Sequence, residues 1–325
     1  MQRLIADALG REGFDVVAKA DGGDEALAAC RSHRPDAMTL DLTMPGLDGL
    51  GVLRQMERER LGTKVVVVSA SAHGERAVEA LERGAFELVP KPAVNESFAD
   101  FATGLVRTLE AACTVNGRAP RPSAPAAPSS TGGRLRRGVK RLVVIASSTG
   151  GPRALADLLP QLNAPLGAGG LIVQHMPPGF TSSLAQRLDG ASKLGVAEAA
   201  TGDRVAPGRI LLAPGGSHMR LDATGRVTLT ETPPIGALRP RADLTIADVA
   251  EHWGPASVLV VLTGMGSDGL DGARAVRARG GRVIVEAEST CTVHGMPRVV
   301  AEAGLADEVL PLHKIARAIH EEVAA

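Results

Sequence analysis

The chain has 325 residues, more than one ordinary hydrophobic core accommodates, so two domains of usual size are expected. Lysine plus arginine and aspartate plus glutamate both number 36, and a chain of zero formal charge has no overall attraction for nucleic acid or an anionic membrane. Cys30, Cys113 and Cys291 are widely spaced and form no C-x-x-C pair. That argues against a disulfide framework and a zinc site and fits a cytoplasmic protein, as does the lack of any apolar run near the roughly 18 residues of a membrane span.

In chain order, the amphipathic stretch MQRLIADALGREG is followed by apolar strand-like runs alternating with helical patterns: FDVVAKA, DGGDEALAACRSH, DAMTLDL, GLGVLRQMERER, KVVVVSA, HGERAVEALERG and FELVPKP. Alternating strand and helix implies a parallel sheet covered on both faces, in which functional groups gather at the carboxyl ends of strands. Asp41 follows AMTL, Ser69 follows VVVV and Lys91 follows ELVP. A carboxylate acceptor, a hydroxyl able to bond a phosphoryl oxygen and a cation make a phosphoryl site, although each alone also reads as a turn former, an edge hydroxyl or a solvated cation.

From Cys113 to Gly138 the composition shifts to Pro, Ala, Ser, Gly and Arg without periodicity, the pattern of a flexible linker. Beyond it, KRLVVIASSTGGPRALADLLPQL is a strand, a small-residue turn and a helix with Pro152 in its first turn. A serine on such a turn presents its hydroxyl above the sheet while the helix-start amides can stabilise an oxyanion. The turn has neither the spacing of a dinucleotide fingerprint nor the Gly-Lys of a P-loop. The strand of GGLIVQHMPPGF ends at His175, and PASVLVVLTGMGSDGLDGARAV places Asp268 on a third strand-end turn, with Asp271 three residues on. Hydroxyl, imidazole and carboxylate on three turns of one sheet edge form a hydrolase triad. Asp268 could equally be a helix cap.

DLTMPGLDG, with SA and KP downstream, resembles the response-regulator receiver family over residues 1–112. ASSTGGP, IVQHMPPGFT, LLAPGG, HM, LTGMGSDG and CTVHGMP, in that order, resemble the catalytic domain of the chemotaxis methylesterase family over 139–325, with 113–138 as the linker between. The resemblance implies an α/β protein: a flavodoxin-like receiver lacking its first strand, then a doubly wound, mainly parallel Rossmann-like domain. It implies Asp41 as phosphoacceptor with Ser69 and Lys91 as switch residues, and Ser148, His175 and Asp268 as nucleophile, base and orienting acid. Ser147 is the competing hydroxyl. Amides near Thr149 and Met265 are the implied oxyanion donors.

The implied reaction is hydrolysis of glutamate methyl esters on methyl-accepting chemotaxis receptors, releasing methanol, with deamidation of receptor glutamines beside it and no cofactor. A chemotaxis histidine kinase is the implied phosphodonor, and the protein is expected at receptor arrays without entering the membrane. His294, Met296, His218 and Met219 are expected to line or support the site, or only to pack loops. Arg239 and Arg241 read either as receptor contacts or as solvated surface. Receivers open with a strand ending in an acid pair that holds Mg²⁺; this sequence starts inside the following helix, so Asp41 is expected to lack its metal site and the catalytic domain to work ungated. Two other readings stay open: a signalling adaptor with an inert hydrolase-like domain, and an esterase of small metabolites.

Overall fold

The structure, a computed structural model, describes residues 1–70, 74–92, 97–115 and 140–324. The chain divides into two compact units, Met1–Ala119 and Pro120–Ala325.

The first unit carries helices α1 (Gln2–Arg11) and α2 (Gly23–His33), then strand β1 (Ala37–Asp41), α3 (Gly49–Glu59), β2 (Lys64–Ser69), α4 (Gly74–Glu82), β3 (Glu87–Pro90) and α5 (Phe98–Val115). The strands form a parallel sheet in the order β1-β2-β3. β2 is central, and Val65 to Ser69 are buried, as a continuous apolar run between two neighbours requires. Asp48 caps α3 by accepting the Gly51 N–H at 2.8 Å. In α2, Asp24 and Glu25 lie in the first turn and Arg31 and His33 in the last, matching the helix dipole at both ends.

Two expectations for this half are corrected. FDVVAKA, residues 14–20, is not a strand: no described strand pairs with it, and Val16 and Val17 are exposed. A β-run without a hydrogen-bonding neighbour leaves its amides to water and has nothing to hold its pleat. A groove of about 820 Å³, bordered by Leu9, Phe14, Val17, Met38 and Leu109, runs along this region beside β1. The linker boundary also shifts, because α5 continues through Val115, with Thr114 Oγ1 donating back to the Glu110 carbonyl at 2.7 Å. Residues 116–138 of the expected linker lie outside the described residues.

The second unit holds β4 (Leu142–Ser147), α6 (Gly151–Leu158), β5 (Gly169–Gln174), α7 (Thr181–Ala191), β6 (Gly195–Glu198), β7 (Arg209–Leu212), β8 (His218–Leu221), β9 (Val227–Thr230), α8 (Ala242–Trp253), β10 (Ser257–Val261), α9 (Leu270–Ala278), β11 (Arg282–Glu286), α10 (Met296–Glu302), β12 (Glu308–Leu310) and α11 (Leu312–Ala324). Seven strands form one parallel sheet in the order β12-β11-β10-β4-β5-β7-β6, and β8 and β9 make a separate antiparallel pair. β4, β5 and β10 are buried at every residue. Leucine and valine from these three strands pack with Ile246 and Val249 of α8 and Ala273 and Val276 of α9, each such large apolar side chain contributing about 1.5 to 3 kcal/mol on burial. The order reverses direction at β4: the chain goes from β4 to β5 on one side and reaches β10 on the other. The three turns after these strands therefore share one crevice at the carboxyl edge. No helix among the described residues is long and apolar enough to cross a membrane.

Candidate active site

Ser148 stands at the carboxyl end of β4, the middle one of the three strands, and is half-buried. Its N–H donates to the Thr263 carbonyl beyond β10 (3.0 Å), and its own carbonyl accepts the Gly151 N–H (2.7 Å) and Gln174 Nε2 (3.0 Å). Between them Gly150 takes φ +80°, and a Cβ there would come within 2.4 Å of Thr292; only glycine turns the chain into α6 at this point. Ser147, one residue earlier on the alternating pleat, is fully buried and donates its hydroxyl to Gln174 Oε1 at 2.6 Å. The doubled serine thus separates into a half-buried hydroxyl and a buried structural one.

His175 follows β5 and is held by its N–H on the Ser147 carbonyl (3.0 Å). Its Nε2 lies 2.7 Å from Asp268 Oδ2, both side chains being almost wholly buried. The other ring nitrogen, Nδ1, is buried without a partner among the described residues. With Nε2 committed to the carboxylate, Nδ1 is the nitrogen left to meet a hydroxyl.

Asp268 is a cap, but not of its own helix. Its carboxylate accepts the N–H groups of Ala242 (2.7 Å) and Asp243 (2.9 Å) at the start of α8, and of Gly269 (3.0 Å). Asp243 in turn accepts Gly269 and Gly272 N–H at the start of α9 (2.9 and 2.8 Å), so the two helices cap each other. Burial works against the Asp268 charge, yet His175 and these backbone donors outweigh it and hold its carboxyl well below the usual carboxylate range. Burial, then the neighbouring Asp268 charge, push Asp243 the other way. Arg241 spans both acids, with Nε 2.9 Å from Asp268 and Nη2 2.7 Å from Asp243.

The remaining named residues support this frame. His218 is fully buried, its Nδ1 accepting the Arg241 N–H at 3.1 Å. Met219 and Met296 are core residues. His294 bridges Gly264 through backbone, its Nε2 buried and without a partner among the described residues, and burial pushes its imidazole pKa down. The Arg241 guanidinium is held by the two aspartates and is not solvated surface. Arg239 ties its loop to the carbonyls of Glu231 and Thr232 (3.1 and 3.3 Å). Asp271 is exposed and pairs with Arg274. The N–H groups of Thr149 and Met265 have no acceptor among the described residues. A cleft of about 580 Å³ opens beside the Ser148 turn, bordered by Gly150, Arg153, Thr263, Thr292 and His313; none of Ser148, His175 or Asp268 lines it.

In the first unit, β1 and β2 register places Asp41 opposite Val68, and Lys91 reaches Asp41 Oδ2 as an ion pair. Asp41 Oδ1 accepts the Thr43 N–H at 3.0 Å. Ser69 is buried, with its hydroxyl on the Ala70 carbonyl at 3.4 Å. Mg²⁺ needs several oxygen ligands. Asp41 offers carboxylate oxygens of that kind, paired here with Lys91, and among the described residues no cluster of three or more acidic, His or Cys side chains is present.

A family model described as CheB methylesterase matches residues 143–319, and one described as response regulator receiver domain matches 1–101. The chain belongs to the CheB methylesterase family. Like its relatives it is an ester hydrolase fused to a receiver. A protein-glutamate methylesterase/protein-glutamine glutaminase of Symbiobacterium thermophilum is 44% identical over 340 residues, spanning 99% of this chain and 94% of the relative. One from Myxococcus xanthus is 43% identical, spanning 93% and 88%. The crystal structure of the Thermotoga maritima CheB methylesterase catalytic domain superposes with TM-score 0.55 at 47% identity, covering 56% of this chain and 98% of that one.

Several residues of this CheB-type site escaped the sequence reading. Gln174 is a polar residue inside the apolar run GLIVQ, which is its only signal. Asp243, Thr263 and Glu286 gave none, because the backbone groups that their side chains hold lie more than 20 residues away.

Proposed function

We propose that the chain hydrolyses glutamate methyl esters on methyl-accepting chemotaxis receptors and deamidates receptor glutamines by the same route. The observation that carries this reading is the His175–Asp268 pair at 2.7 Å, with Nδ1 left over and the half-buried Ser148 on the adjacent strand end. The names of the relatives supply the substrate class.

Ser148 Oγ attacks the side-chain carbonyl of the methylated glutamate while His175 Nδ1 takes the hydroxyl proton. Asp268, kept ionised by its amide donors, holds the ring and offsets the imidazolium charge. The tetrahedral oxygen is met by the open N–H groups of Thr149 and Met265, each worth about 10² to 10³ in rate. Collapse of the intermediate breaks the ester C–O bond, and His175 returns the proton to the departing methoxide, so methanol leaves and an acyl-serine remains. Water, deprotonated by the same nitrogen, then cleaves the acyl-enzyme and restores the carboxylate. With glutamine the leaving group is ammonia. The receiver is proposed to take its phosphoryl group from a histidine kinase, and the protein to work in the cytoplasm beside receptor arrays.

The test is methanol release from methylated receptor fragments. Ser148→Ala should lower the rate by about 10⁴-fold or more, while Ser147→Ala, which removes only a buried hydrogen bond, should keep the rate within about tenfold at a cost of about 1 kcal/mol in stability. No release by the folded wild-type chain, or equal loss in both variants, would overturn the reading.

A further inference from the structure

Thr263, two residues beyond the end of β10, is 1% exposed and has every polar atom engaged. Its carbonyl accepts the Ser148 N–H at 3.0 Å. Its hydroxyl donates to the Thr149 carbonyl at 2.9 Å and accepts the Val293 N–H at 2.9 Å. Its own N–H donates to Oε2 of the buried Glu286 at 2.8 Å. Ser148 N belongs to the peptide unit before Ser148 and Thr149 O to the unit after Thr149. The unit between them, which carries the Thr149 N–H, is therefore clamped on both flanks by one residue without that N–H being used.

We infer that Thr263, anchored by Glu286, is a positioning residue that fixes the Ser148–Thr149 peptide, and with it the spacing of the nucleophile from the amide facing the developing oxyanion. The inference rests on the reading of Ser148 as nucleophile. Met265, whose N–H is also open, lies two residues further on, so the same clamp sets both donors. Thr263 touches no reacting atom. It acts through the geometry of groups that do, and that geometry matters most when charge develops on the carbonyl oxygen.

The experiment compares Thr263→Val, which removes the hydroxyl at equal volume, with Thr263→Ser, which keeps it, in the full-length protein. Methanol release gives kcat and KM, and circular dichroism with thermal unfolding reports the fold. Thr263→Val is expected to lose about 10- to 100-fold in kcat with KM within about twofold, and Thr263→Ser to recover kcat to within about threefold. A folded valine variant with wild-type kcat, or a serine variant as impaired as valine, would overturn the inference while leaving the hydrolase reading intact. A wild-type chain that releases no methanol would sink both. Should the valine variant not fold, Thr263→Ala against Thr263→Ser carries the comparison, the two differing by the hydroxyl alone. Collapse of both Val and Ala variants would overturn the assignment too, since the hydroxyl would then be holding the domain and not the turn.

Discussion

At Glu286 the side chain has no solvent exposure; Oε2 takes the Thr263 N–H, while Oε1 is buried with no hydrogen bond of ordinary geometry among the described residues. Burial pushes its carboxyl pKa up, with the Thr263 amide opposing. Asp268 is as deeply buried but shifts down, because His175 and three amides surround it. The signs for stability are opposite. A raised carboxyl pKa means the folded state holds its proton longer, so stability falls as pH rises from the unfolded value through the folded one. Glu286→Gln keeps an acceptor for Thr263 and removes that loss. It is expected to raise the unfolding midpoint by a few degrees at pH 8, with the advantage shrinking towards pH 4, and to leave kcat within about threefold. An advantage that grew on acidification would contradict the assignment. Glu286 shows why such residues are illegible in sequence: at the end of an apolar strand it reads as an ordinary polar terminus.

Among the elements, the turn after β10 is closely packed against the catalytic serine. A Cβ on Gly264 would lie 2.4 Å from Met296 Sδ and 2.8 Å from Ser148 Cβ, with the Gly264 amide and carbonyl already bonded to Val293, Gly295 and Met296. Methionine can yield, but only into a filled core. Gly264→Ala is expected to cost about 1 to 3 kcal/mol by denaturant unfolding and about 10- to 100-fold in kcat, because Ser148 must move. Wild-type kcat in this variant would show that the serine tolerates displacement. The central strands were legible because β4, β5 and β10 are continuous apolar runs, and their ends named Ser148, His175 and Asp268. FDVVAKA looked the same in composition and is no strand. A run of valines specifies a strand only when a neighbour supplies the ladder, and neighbours are not written in the run itself. The cap exchanged between α8 and α9 was hidden for the same reason: Asp268 was recognisable as a cap, but its helix lies upstream in the chain.

For the molecule as a whole, the receiver signature meets a matching set of side chains at Asp41. The aspartate, Lys91 and Ser69 are at neighbouring strand ends. Phosphoryl transfer to a carboxylate also needs a divalent cation to offset oxygen charge. Acetyl phosphate with Mg²⁺ tests the proposed phosphorylation: methanol release is expected to rise by about tenfold or more if Asp41 is phosphorylated and gates the hydrolase, and a change of less than about twofold would show that it does not. The catalytic unit has a further property that follows from its hydrogen bonds. His175 and Asp268 are 93 residues apart and Thr149 and Thr263 are 114 apart. No local segment can assemble the site, and contacts of such separation form slowly because long loops must close first. In a refolding experiment, helical signal would return early and turnover last, with the docking of β10 against β4, so esterase activity serves as a clock for the final step of folding.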